Sequence, residues 1–231
     1  MFKLGTPVAL AALIGLTMAA ATPAAHQSAR AATSAALRPP LPAAAAPLHF
    51  VLAPTGNQVR YRVREQLVGH DLPNDAVGVT DDITGALVVG DDGAIVPSES
   101  KFTINVATLK SDRDRRDGYV RRRILQTDSF PTVQLAPTAI RGLPTPLPTS
   151  GEHAFQLIGD LTVRGVTHPT TWQVKATFDG NRVAGSASTG FTFEDFGLMQ
   201  PKVSILLSVA DSIHLEYDFN LVPSQSTAAG S

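Results

Sequence analysis

Between residues 59 and 222 apolar and polar side chains alternate with a period of two. In "VRYRVREQL", Val59, Tyr61, Val63 and Leu67 fall on one face and Arg60, Arg62, Arg64 and Gln66 on the other, as side chains do along a half-buried β-strand. Glu65 breaks the pattern, standing on the apolar side. "VGVTDDITGALVV" carries Val79, Ile83, Leu87 and Val89 in one parity. "GDDG" (90–93) then marks a turn before "SKFTINVATL", where Phe102, Ile104 and Val106 alternate with polar residues. "PTVQLAPTAI", "HAFQLIGDLTV", "TTWQVKATF" and "VAGSASTGFTF" continue the pattern. The closing "VADSIHLEYDFNLV" is the longest run, with Val209, Ile213, Leu215, Tyr217, Phe219 and Leu221 against His214, Glu216, Asp218 and Asn220.

These runs predict about eight strands joined by short turns, with no helix between most of them, which suits an all-β antiparallel barrel or sandwich. Periodicity alone does not separate the two. Small residues at inward parity (Gly85, Gly159, Ala176, Gly185 and Ala187) either leave room for a cavity or fit against bulky neighbours.

One segment departs from the strand pattern. "SDRDRRDGYVRRR" (111–123) lies between two strand-like runs, and residues 110–123 hold seven basic and three acidic side chains. A calcium loop is excluded, because Arg116 and Arg123 stand where oxygen ligands belong and Gly118 comes one place late. A single aromatic, Tyr119, is too little for base stacking, so nucleic acid is not expected as a partner. The segment is predicted to be one helix over about 112–125 at the rim of the β-structure. Ser111 would cap it, Asp112 and Asp114 suit its start, Arg121 to Arg123 suit its end, and Val120 and Ile124 face inward.

Composition narrows the function. Charge is nearly balanced, 19 basic against 20 acidic residues, and there is no cysteine, so disulfides, thiolate metal sites and a cysteine nucleophile are absent. The six histidines show no metal-ligand spacing, and neither a serine-hydrolase elbow nor a phosphate-binding glycine loop occurs. No catalytic residues, metal ligands or cofactor are predicted. Lys3, the apolar run "PVALAALIGLTMAAA" and the small residues after it read as a signal peptide over 1–25, which places the protein in the periplasm or outside the cell. An Ala/Pro-rich disordered linker (26–48), one domain (49–222) and a disordered tail (223–231) are expected to follow.

Three motifs point to a family. "NVATLKSDRDRRDGYVRRRILQTDSFPTVQL" resembles the strand, "RD" helix and strand of YceI-like proteins. "GDLTVRGVTHP" (159–169) is similar to their "GDLTIRGVT-P" signature, and "FEDFGL" (193–198) resembles their "DFG" turn. The likeness runs from about Phe50 to Val222. Ser129-Phe130 replaces the usual "FF", and "RRR" at 121–123 is more basic than is usual there. The resemblance implies an antiparallel eight-stranded, lipocalin-like barrel with one flanking helix, in an exported protein that holds a polyisoprenoid or quinone-like lipid in a tunnel.

On that basis the ligand-binding candidates are the inward-parity residues Val59, Tyr61, Val63, Leu87, Phe102, Ile104, Phe155, Leu157, Trp172, Val174, Phe178, Phe191, Phe193, Ile213 and Leu215. Tyr61, Tyr119 and the helix arginines are placed at the polar end of the ligand. A transient contact with a membrane or an acidic partner, and a homodimer, are compatible with this reading. The alternative is a lipid-free module that docks an acidic partner through the basic helix 111–123. A lipid-acting enzyme would need Glu65 and Asp211, the two polar exceptions at inward parity, to meet in one cavity.

Overall fold

The computed structural model describes residues 46–180 and 182–224. The expected signal peptide, nearly all of the expected linker and the expected tail from residue 225 lie outside the described residues. Ten strands are present: β1 (Leu48–Leu52), β2 (Gln58–Leu67), β3 (Asn74–Thr80), β4 (Ile83–Val89), β5 (Lys101–Asn105), β6 (Thr132–Arg141), β7 (Ser150–Val163), β8 (Val166–Asp179), β9 (Val183–Thr192) and β10 (Leu206–Pro223). They fill only eight positions around a closed antiparallel barrel, in the order β1-β4-β5-β6-β7-β8-β9-β10 and back to β1.

The doubling arises because two positions are each shared by two short strands. β10 is 18 residues long. It pairs with β1 through Leu221 to Pro223 and with β2 between Leu206 and Asp218, so β1 and β2 lie end to end beside it. β3 and β4 share the next position, β3 against β2 and β4 against β1.

The break at Asp81-Asp82 has a consequence for facing. In β3 the buried residues are Ala76, Gly78 and Thr80, whereas in β4 the inward set is Ile83, Leu87 and Val89. Val79 therefore does not share a face with the other three; it bridges to Lys110 by backbone hydrogen bonds of 2.8 and 3.0 Å. Asn220 is a second departure from the alternation. Although it stands at outward parity it is buried, because the turn over residues 53–57 folds across it. Its N–H donates to Asn57 Oδ1, its Nδ2 donates to the Thr55 carbonyl, and its Oδ1 accepts from Arg182 Nε.

The inward glycines are explained by close approach. A Cβ at Gly185 would stand 2.0 Å from the Lys175 carbonyl oxygen, one at Gly85 2.4 Å from that of Lys101, and one at Gly159 2.8 Å from that of Ala136. At these three positions the missing side chain lets backbones pack and does not itself create a cavity.

The charged segment forms helix α1 (Asp114–Tyr119), which continues as a π-helical stretch over Val120–Leu125 and ends at Gln126 in the left-handed conformation. The residue flanking the helix start is Arg113, not Ser111. Ser111 instead donates from both its N–H (2.9 Å) and its hydroxyl (2.6 Å) to Oδ1 of the buried Asp117, which ties the chain before the helix to its first turn. Ile124 is buried, and Val120 and Ile124 both face the barrel interior.

Candidate functional site

A cavity of about 740 Å³ occupies one end of the barrel. Its walls are inward side chains of β2 to β10, and its mouth lies between the helical segment and residues 198–206. The size is that of a small-molecule pocket. Val59, Tyr61, Val63, Phe102, Ile104, Tyr119, Trp172, Phe191, Phe193, Ile213 and Leu215 all line it. The other five sequence-derived candidates, Leu87, Phe155, Leu157, Val174 and Phe178, lie elsewhere. They surround a much smaller void of about 70 Å³ toward the opposite end, where Phe102, Leu135, Trp172 and Tyr217 form the shared boundary.

Polar groups in the main cavity gather at the mouth. Glu65 is only 7% exposed. Its Oε1 accepts from Arg116 Nη2 at 2.6 Å and from Asn74 Nδ2 at 3.2 Å. Arg116 also donates from Nη1 to Asp112 and to Ser111 Oγ. Burial works against the Arg116 charge, but the hydrogen bonds it donates to Glu65 and Asp112 outweigh that and its pKa is raised. Burial pushes the Tyr61 phenol up to about 12, despite the opposing charge of Arg116, so the hydroxyl stays protonated at neutral pH. Its ring lies over Gly78, where a Cβ would come within 2.3 Å of it.

Glu65 and Arg116 were absent from the sequence-derived ligand list, although both were visible in the sequence. Glu65 stood out as the polar residue on an apolar face. Arg116 is one of the helix arginines expected at the polar end of the ligand, and the fold turns it inward onto Glu65. Arg121 is likewise engaged, donating to the Leu109 carbonyl at 2.9 Å. The Arg116 pair with Glu65 removes one charge from the surface that an acidic docking partner would meet. Asp211 is exposed and accepts weakly from the Phe193 N–H at 3.4 Å, at the irregularity of β10 between Val209 and Ile213. It therefore does not join Glu65 in one cavity.

The outward face of β2 is neutralised by a ladder of ion pairs. Arg60 pairs with Glu216 (3.3 Å) and Asp218, Arg62 with Glu216 and Asp75 (both 3.3 Å), and Arg64 with Asp75 (3.1 Å). Burial raises the Glu216 pKa, but hydrogen bonds from Arg62 and Arg60 outweigh that and hold it below the ordinary carboxylate value. Asp75 is held down chiefly by Arg64.

The three sequence motifs converge beside the mouth. In "TVRGVT", Arg164 and Gly165 both have positive φ (50° and 77°) and make the two-residue turn of the β7–β8 hairpin, the conformation that matches strand twist. Arg164 Nη1 then donates to the Ile124 carbonyl at 3.2 Å and lies 3.5 Å from that of Gly197. In "EDFGL", Gly197 takes a positive φ of 58° and Phe196 is buried, its ring 4.6 Å from that of Phe191. One arginine thus fastens the hairpin to the helical segment and to the "DFG" turn, framing the opening.

Among solved structures, a polyisoprenoid binding domain from Saccharophagus degradans, described as implicated in plant cell wall breakdown, aligns with a TM-score of 0.60 at 12% identity, covering 77% of this chain and 99% of that one. Burkholderia cenocepacia BcnA aligns with a TM-score of 0.51 at 15% identity, covering 71% and 95%. Among curated sequences, a UPF0312 protein of Pseudomonas putida (strain GB-1) is 30% identical over 116 residues, and one of Pseudomonas fluorescens (strain SBW25) is 31% identical over 119. The matched stretch spans 46–47% of this chain and 56–57% of those relatives, so the chain spans about half the length of the curated relatives it matches. The YceI-like domain family matches residues 50–221, the whole barrel. The chain belongs to the YceI-like family.

Proposed function

We propose that this protein is an exported carrier that sequesters a long amphiphile, a polyisoprenoid or a quinone-like lipid, without covalent chemistry. The observation that carries this reading is the shape of the main cavity: an apolar chamber whose charged and hydrogen-bonding groups are gathered at one opening. Burying an apolar chain there drives binding in proportion to the area removed from water, and the polar end sets orientation. The Saccharophagus degradans neighbour, described as polyisoprenoid binding, supports the same class of ligand. Val203 and Ile205 are exposed and, with Leu206, line the cavity. They supply an apolar threshold for transient contact with a donor membrane.

The test is mass spectrometry of an organic extract from the protein, purified after export without detergent. A stoichiometric isoprenoid or quinone is the expected result. A protein that is empty as purified and also fails to take up added polyprenol sinks the carrier reading.

A further inference from the structure

The floor of the main cavity is a partition. Phe102, Leu135, Trp172 and Tyr217 line both the chamber of about 740 Å³ and the void of about 70 Å³ behind it, and all four are buried. They come from β5, β6, β8 and β10, on different sides of the barrel. Phe102 and Leu135 are direct cross-strand neighbours. Between β10 and β5 lie the position shared by β1 and β2 and the one shared by β3 and β4. The rings of Phe102 and Tyr217 nevertheless meet edge-on at 6.0 Å, so their contact spans the interior. Trp172 closes the floor from the β8 side, its indole held by a 3.0 Å hydrogen bond from Nε1 to Thr170 Oγ1.

The depth of the chamber follows from strand register. Leu67 pairs with Leu206 at the mouth and Val59 with Tyr217 at the floor. That stretch of β2 covers roughly 26 Å at about 3.3 Å per residue, and a strand tilt of about 40° leaves about 20 Å along the barrel axis. An extended chain advances about 1.2 Å per backbone bond, so a prenyl unit of four such bonds takes roughly 5 Å and about four units reach from mouth to floor. A longer tail folds back until the chamber is full. Each unit beyond that stays outside and exposes apolar area that a donor bilayer would have covered, a cost that repeats with every further unit. Pushing through the floor instead means displacing packed rings, with little more than the small void to receive them.

We infer that the partition of Phe102, Leu135, Trp172 and Tyr217 is the length-determining element of the cargo site: it stops the tail, and tails that overfill the chamber in front of it are rejected. This rests on the carrier reading. Tyr217 is the place to open the floor. Its hydroxyl is buried without a hydrogen-bond partner among the described residues, so removing the phenol orphans no other group and relieves an unsatisfied one.

The experiment offers the protein phosphatidylcholine vesicles loaded with an equimolar series of polyprenols, from farnesol upward to lengths well past the chamber's reach, and reads the bound lengths by native mass spectrometry. The wild type is expected to take up tails to a limit and to carry those beyond it at least about tenfold less than the preferred length. Tyr217→Leu and, from another strand, Phe102→Leu join the chamber to the void, and each is expected to move that limit to longer tails. Thermal unfolding of each variant verifies the fold. Bound lengths that mirror the vesicle mixture overturn the inference and leave the carrier reading standing. A limit that stays in place in both folded variants overturns the assignment to the partition. No uptake at any length overturns the carrier reading, and this inference with it.

Discussion

The two ends of the barrel are made from the same strands and the same alternation, yet one is hollow and the other is filled. At the filled end Phe155, Phe178, Phe219 and Tyr217 converge, with Phe50 and Leu87 packed against them, around a void of about 70 Å³. At the hollow end the inward positions include Val59, Val63, Ala76, Ile83, Ile104, Val106, Val133 and Val163, and the space left is about 740 Å³. A barrel of eight positions has an interior that side chains can just fill. Rings line both ends, Tyr61, Phe191 and Phe193 among them at the hollow one, so what separates the ends is how the side chains meet: at the filled end they close on one another, and at the hollow end they stand along a wall shared with valine, alanine and isoleucine. The inward glycines let backbones approach and do not themselves make the cavity.

This contrast can be broken most strongly at the filled end. Phe178→Ala removes a ring that is 7% exposed and edge-on to His153 at 5.5 Å. It is expected to cost about 3–5 kcal/mol in a denaturant titration, because dense packing relaxes poorly around a lost aromatic. A loss below about 1 kcal/mol would mean that this end is not filled.

At the hollow end the opposite substitution sharpens the comparison. Leu215→Trp adds bulk to the cavity wall beside Tyr61. It is expected to lower polyprenol capacity at least about tenfold while stability changes by less than about 1.5 kcal/mol, since the added volume occupies space that packing left empty. Unchanged lipid uptake would place the cargo elsewhere.

Smaller effects are expected on the outward face of β2. Arg60→Ala removes pairs with Glu216 and Asp218 and should cost no more than about 1 kcal/mol, reduced further at high salt, because the partners are partly solvated. The folded-state pKa values of Glu216 and Asp75 are depressed. Their contribution is therefore present near neutral pH and is lost as the pH falls below about 4, where the unfolded chain takes up protons first. Thermal melts across pH 3 to 7 measure it, and Arg60→Ala should narrow that difference.

The smallest change in stability is expected at the rim. Ile205→Ser at an exposed position should leave stability within about 0.5 kcal/mol of wild type. If the mouth meets membranes, the same change should slow lipid uptake from phosphatidylcholine vesicles. An unaltered rate would assign that contact to another surface.

The alternation along β2, β8 and β10 was enough to identify the barrel's inward faces, because a strand's period of two fixes facing wherever pairing is unbroken. It placed Tyr61, Trp172 and Ile213 correctly on the interior side. It misplaced Val79, because the break at Asp81-Asp82 reset the parity, and it took Asn220 as solvent-facing, because a turn distant in sequence covers it. The family motifs were also readable, but the reason they occur together was not: Arg164 joins the hairpin to the helical segment across 40 residues. Which end would be hollow depended on which inward side chains meet across the barrel, and this follows from strand order and register. Arg116 reads in the sequence as one of several arginines in a charged helix. Its partner Glu65 lies 51 residues earlier on a strand, and only closure of the barrel brings the two together at the mouth of the cavity. Local pattern determined the facing of each strand; the long-range contacts that put unlike charges at one opening were decided by tertiary structure, since proximity in space is not written in spacing along the chain.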